Sequence, residues 1–330
     1  MNTRQEAWHP AAELAALRLR ARILARIRAF FAERGVLEVE TPLLASTTTT
    51  EPNLASIEAR GAGFEGPERV FYLQTSPESF MKRLLAAGAG PIFQLGKAFR
   101  AGEVGRHHNP EFTILEWYRP GFDSQALMDE VEALAGEVLG TGAGERIAYR
   151  DAFLRHAGLD PFQAPLPVLR DYARRLGLSS GDSRGLDRDA CLDLILSRVV
   201  QPALGPGSVF ITGFPASQAA MARLVPRDPG DGGSPGIAER FEWFFDGIEL
   251  ANGYRELGDA HEQRARFLAD GQRRDEKGLP SVPLDERLLG ALAHGLPDCS
   301  GVALGVDRLV MLAASKTSLD EVLAFPFGRV

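Results

Sequence analysis

Apolar residues recur at helical spacing through Leu14, Leu17, Ala21, Leu24, Ile27 and Phe31, so residues 11–34 are predicted as one amphipathic helix stopped by Gly35. Residues 36–41 then alternate and run into Pro42, which has no N–H for a sheet ladder and suits a strand end. Ser76-Pro77-Glu78 opens a second helix reaching about residue 88, with Ser76 as cap and Pro77 at the first helical position. Alternation resumes over residues 94–99 and 112–118, joined by a segment that Gly102 and Gly105 loosen, and this predicts a hairpin. Along its return strand Phe112, Ile114, Glu116 and Tyr118 share one face, while Thr113, Leu115 and Trp117 share the other. One face therefore offers a ring, a carboxylate and a phenol.

Further helices are predicted at about 124–139, 168–176 and 188–204, with a strand at 209–212 and a loop at 226–236. Residues 239–254, ERFEWFFDGIELANGY, read as a hairpin turning at Asp246-Gly247. Glu249, Asn252 and Glu256 are spaced by three and four, which also suits a helix, but the aromatic content favours strand. Glu249 and Asn252 then share a face only through a bulge, expected at Asn252-Gly253. Asp259 with Glu262 caps the next helix.

Composition narrows the class. With 45% hydrophobic and 25% charged residues, the 330-residue chain is that of an ordinary globular protein of one or two domains. A net charge of −7 argues against a global basic field for nucleic acid. Cys191 and Cys299 have no paired spacing, the N-terminal pattern is studded with arginine where a signal peptide is uncharged, and no apolar run reaches membrane length, so a cytoplasmic setting is expected. A Walker loop is absent around Gly90–Lys97, so phosphate binding would rest on arginines. The hairpin tip carries Arg100, Arg106, His107, His108 and Asn109, which suits a polyphosphate or, equally, a solvated turn. Near the C-terminus, GVALGVDRLVML combines glycines that admit a flat ligand with Arg308 opening a helix.

Taken in order, the helix and strand ending at Pro42 (about 17–42), the hairpin (about 94–119) and the strand–helix (about 301–314) resemble motifs 1, 2 and 3 of class II aminoacyl-tRNA synthetases. RHHNPEFTILEWY, RFEWFFDGIELANGYREL and GVALGVDRLVML are similar to the lysyl branch. The short N-terminal lead, Ser76 and Ala303 (where lysyl enzymes have alanine and glycine) resemble the elongation factor P beta-lysine ligase family.

This resemblance implies an α+β fold: a single class II catalytic domain over 1–330, an antiparallel β-sheet flanked by helices, and no anticodon-binding OB domain. It implies ATP and Mg2+ as cofactors, (R)-beta-lysine and elongation factor P as partners, no tRNA, no membrane, and a homodimer through the motif 1 helix. Arg100 would clamp the α-phosphate, Arg308 the γ-phosphate, and Arg106 and His108 the outer phosphates. Phe112 would stack on adenine, with Asn109, Leu250, Asn252 and Gly305 completing the nucleotide site. Glu249 and Glu256 would hold the metal; Ser76, Glu78, Glu116, Tyr118, Glu256 and Ala303 would meet the amino acid. The family has glutamate where this chain has Gly102, so either Glu103 substitutes or the adenine-side contact is lost. The other readings are a minimal lysyl-tRNA synthetase and a catalytically degenerate regulatory paralogue.

Overall fold

The computed structural model describes residues 8–61, 70–179, 185–226 and 236–330; all but the two end residues of the expected loop at 226–236 lie outside them. In chain order the strands are β1 (Leu37–Glu38), β2 (Leu44–Ala45), β3 (Glu58–Ala59), β4 (Phe71–Leu73), β5 (Ile92–Phe99), β6 (Glu111–Pro120), β7 (Glu145–Ala148), β8 (Ser208–Pro215), β9 (Leu224–Val225), β10 (Ile237–Phe245), β11 (Ile248–Arg255) and β12 (Cys299–Gly305). The principal helices are α1 (Leu14–Glu33), α2 (Glu78–Ala86), α3 (Ser124–Leu139), α4 (Tyr149–Ala157), α5 (Leu166–Arg175), α6 (Arg188–Ile195), α7 (Ala260–Glu276), α8 (Glu286–Gly295) and α9 (Val306–Ala313). The chain divides into two compact units, residues 1–122, 133–140 and 258–330 forming the first and 123–132 and 141–257 the second.

In the first unit β5, β6 and β12 lie side by side and antiparallel, and the two-residue β1 runs parallel to β5. The alternation in β6 sorts its side chains as expected. Phe31 of α1 stacks on Phe93 at 4.6 Å and lies 5.3 Å from Trp117, so α1 covers the face that carries Thr113, Leu115 and Trp117. On the opposite face Tyr118 and Ile92 pack with Met81 and Leu85 of α2 and with Cys299. A small sheet, β2-β4-β3, completes this unit.

The second unit runs β11-β10-β8-β7, antiparallel except for β7 and β8, with β9 against the start of β10. Its core joins Tyr149 and Phe153 of α4, Leu169 of α5 and Leu192 and Ile195 of α6 to Ile211 and Phe214 of β8. The helix expected over 188–204 is present, with a π turn at Leu196–Val200 before its last short turn. Antiparallel-dominated sheet flanked by helices is the expected α+β class. Among the described residues no helix is long and apolar enough to cross a membrane.

Two local expectations are corrected. The β10–β11 bulge is at Leu250, not Asn252-Gly253: Trp243 pairs with Ala251 and Phe244 with Glu249, leaving Leu250 over. The extra residue still brings Glu249 and Asn252 to one face. Helix α2 starts at Glu78 with Pro77 itself at the cap position, because the N–H groups of Phe80 and Met81 bond to the Pro77 carbonyl. Ser76 nevertheless accepts the Glu78 N–H at 3.1 Å.

Candidate active site

Strand register lays out a floor in the first unit. Residues directly opposite in antiparallel strands project to the same side with neighbouring Cβ atoms. Three rows follow: Ile92–Tyr118–Gly301, Gln94–Glu116–Ala303 and Gly96–Ile114–Gly305, with Phe112 opposite Ala98 beyond them. Within the floor the Tyr118 hydroxyl donates to Glu116 Oε1 at 2.7 Å, and both side chains are buried. Helix α2 packs on the same face and carries Glu78 in its first turn, where Lys82 Nζ, itself buried, donates to Glu78 Oε1 at 2.7 Å.

Arg100 follows β5, its guanidinium carbon 5.0 Å from the Phe112 ring centre. Its Nη1 lies 3.6 Å from Glu103 Oε1, and its buried Nε has no acceptor among the described residues. A buried guanidinium N–H aimed past an aromatic face fits the phosphate and base of a nucleotide. Gly102 takes a φ of +77°, which turns the chain between the two charged residues.

The hairpin tip is docked on the C-terminal segment. Arg106 Nε donates to the Thr317 carbonyl at 2.5 Å, and the Leu319 N–H donates to the Arg106 carbonyl at 2.9 Å. Burial, reinforced by Arg106 and Arg308, holds the His107 imidazole below its usual range against the opposing Thr317 bond. Asn109, expected at the nucleotide, commits both ends of its amide to the chain: Nδ2 donates to the Glu111 carbonyl at 2.6 Å and Oδ1 accepts from Phe327 N–H at 2.9 Å. These bonds brace the tip and leave the amide one further N–H and one further lone pair.

Arg308 is aimed by the residue before it. Gly305 pairs with Ile114 as the last rung of β12, and the buried Asp307 carboxylate then takes the next free N–H, that of Thr113, at 2.9 Å. Arg20 of α1 ties both down, reaching Asp307 Oδ1 and Thr113 Oγ1 at 2.6 Å each. From that anchored helix start, Arg308 Nε donates to the His107 carbonyl at 3.1 Å and Nη2 lies 2.7 Å from His108 Nε2.

The second unit holds the remaining candidates. Arg240 Nε donates to Asn252 Oδ1 at 3.1 Å, Nη1 to the Gln218 carbonyl at 2.7 Å, and Nη2 to Glu242. Loss of hydration on burial pushes the Glu242 carboxyl up to about 8, with the Glu249 and Asp193 carboxylates adding to it against the opposing pull of Arg240. Glu242 was missed from the sequence. The available signal was a lone acid within the aromatic run Phe241-Glu242-Trp243-Phe244. Leu250 is the buried bulge residue, and Glu256, also buried, lies past β11 in a bridge with Ala222. Among the described residues there is no group of three or more His, Cys, Asp or Glu side chains able to hold a metal. The Glu242–Glu249 pair fits a hard cation that draws its other ligands from phosphate and water.

A family model for class II tRNA synthetases (D, K and N) matches residues 8–329. A protein of Yersinia enterocolitica serotype O:8 named elongation factor P--(R)-beta-lysine ligase is 51% identical over 324 residues, covering 98% of each chain. Proteins of the same name from Yersinia pestis (strain Pestoides F) and Yersinia pseudotuberculosis serotype O:1b are 50% identical over 321 residues, covering 97% of each chain. Motif order, the floor of β5, β6 and β12, and these matches agree: the chain belongs to the class II tRNA synthetase family, among the members named elongation factor P--(R)-beta-lysine ligase.

Proposed function

We propose that the protein activates (R)-beta-lysine with ATP and transfers the β-lysyl group to the ε-amine of a lysine in elongation factor P, in the cytoplasm and as a homodimer through α1. The observation that carries this is the row Gln94–Glu116–Ala303, in which a buried carboxylate sits between two uncharged neighbours, a floor suited to an amino acid with an ammonium group on its chain. In the first step a carboxylate oxygen of β-lysine attacks the α-phosphorus, forming the acyl-phosphate bond and expelling pyrophosphate. In the second the lysine amine attacks the acyl carbon, loses a proton and expels AMP. No covalent bond to the enzyme is needed, so catalysis is positioning and charge stabilisation.

Roles follow from charge and reach. Arg100 meets the charge that builds on the α-phosphate oxygens, with adenine against Phe112; Arg308 meets the γ-phosphate, Arg106 and His108 the outer phosphates. Asn109, Gly305 and Leu250 line the nucleotide, and Glu103, paired with Arg100, takes the adenine-side place of the glutamate absent at Gly102. Glu78, Glu116, Tyr118 and Glu256 take the substrate amines, while Ser76 and Ala303 shape the pocket for the β isomer. Glu249 is expected at Mg2+ together with Glu256; Glu242, whose carboxyl feels the Glu249 charge, is the second acid proposed beside Glu249, and Asn252 supports that pair through Arg240. Bound there, magnesium would neutralise phosphate charge.

The test is pyrophosphate exchange with (R)-beta-lysine, α-lysine or no amino acid, followed by labelling of elongation factor P. Exchange strongest with β-lysine and label on the protein are expected. Robust charging of lysine tRNA by the purified chain contradicts the reading.

A further inference from the structure

Gln94 has no role in the chemistry above, yet it is a buried polar residue of the floor. It is only 4% exposed, directly opposite Glu116, and its Oε1 is buried without a hydrogen-bond donor among the described residues. Buried amide oxygens are nearly always satisfied, so such an atom in a ligand-facing row calls for a donor supplied from outside the chain. The neighbouring position on the same strand face is Gly96, where an added Cβ would come 3.4 Å from Gln94 Nε2. The carboxamide therefore lies over Gly96, at ordinary contact distance from where a Cβ would stand.

Resting on the function proposed above, we propose that Gln94 is a specificity-determining residue that accepts a hydrogen bond from a substrate ammonium group through Oε1. An ammonium brings three donors and no acceptor, so one carboxylate does not exhaust it. Glu116 supplies the charge and Gln94 the second acceptor, from the adjoining strand of the same row. Because an amide is neutral, Gln94 adds that acceptor without a second carboxylate against Glu116, which would raise the pKa of one of them. The proposal covers amine-bearing amino acids alone. ATP is not touched by it.

Two variants separate acceptor, donor and packing roles, read as KM and kcat for exchange with (R)-beta-lysine and for ATP. Gln94→Met keeps the length and removes the amide; it should raise KM for β-lysine about 10- to 100-fold with KM for ATP unchanged. Gln94→Glu keeps an acceptor and removes the amide N–H; the two facing carboxyls share a proton, so the row keeps one charge, and KM for β-lysine should stay within about threefold of wild type, less than the cost of a lost hydrogen bond to a charged group. A Met variant with wild-type KM overturns the proposal, because the amide would then be packing only. Equal impairment of both variants also overturns it, because the amide would then be acting as a donor, to Glu116 for example. If Gln94→Met fails to fold by its melting curve, the Glu variant alone decides between acceptor and donor. Wild type that exchanges with α-lysine and not β-lysine refutes the functional reading instead, and the same pair of variants is then read with α-lysine. Wild type that exchanges with neither overturns both.

Discussion

The floor of the first unit and the carboxylate pair of the second both bury glutamate, and they do so on opposite terms. Glu116 is flanked by uncharged neighbours, Gln94 and Ala303, and receives a hydrogen bond from Tyr118. Glu242 loses its hydration beside a second carboxylate, Glu249, and despite the Arg240 hydrogen bond its pKa is pushed up to about 8. A row with one acid between uncharged neighbours suits a monovalent ammonium, whereas two acids that repel each other suit a divalent cation.

Removing charge from the pair is the harshest way to break this contrast. Glu249→Gln should lower kcat for exchange on the order of 100-fold or more at saturating amino acid, since a lost metal contact weakens the transition state rather than substrate binding. Titration of Mg2+ in the exchange assay checks it, and full activity at high Mg2+ would count against the pair. Glu116→Gln should act on the other side, raising KM for β-lysine about 10- to 100-fold with little change for ATP. Steady-state exchange with each substrate varied in turn separates the two patterns.

A subtler contrast is visible without any substrate. Glu242 titrates near 8 in the folded protein against 4.5 for an ordinary glutamate, so between those values the folded state holds a proton that the unfolded chain has released. Its contribution to stability is therefore full below about pH 4.5 and is lost as pH rises through about 8. Melting of metal-free and nucleotide-free protein across this range, wild type against Glu242→Gln, should show the variant gaining on wild type as pH increases. Parallel curves would refute the shift. The smallest effect belongs to Ala303→Gly, which removes one methyl from the floor and should raise α-lysine activation relative to β-lysine by a factor worth about 1–3 kcal/mol at most. The ratio of kcat/KM for the two lysines measures it.

Much of this was legible in the order of residues. Period 3.6 found α1, period 2 found β6 and sorted its faces, and Asp246-Gly247 and Asp259 marked a turn and a cap. What alternation does not carry is register. Gln94 reads as an unremarked strand residue until β5 is set against β6, and only then does it fall beside Glu116. Glu242 and Glu249 are seven residues apart on two strands, and their proximity depends on a bulge that turn chemistry placed at Asn252-Gly253 and packing placed at Leu250. Asn109 shows the same limit: one of its partners, Phe327, is more than two hundred residues away, beyond any local pattern.

The most direct test of the central claim is pyrophosphate exchange by the purified protein with (R)-beta-lysine and α-lysine in parallel, coupled to mass measurement of elongation factor P and of lysine tRNA from the same reactions. The floor and the relatives predict exchange that favours β-lysine, a β-lysyl mass increment on one lysine of elongation factor P, and uncharged tRNA. Charged tRNA with unmodified elongation factor P would contradict it.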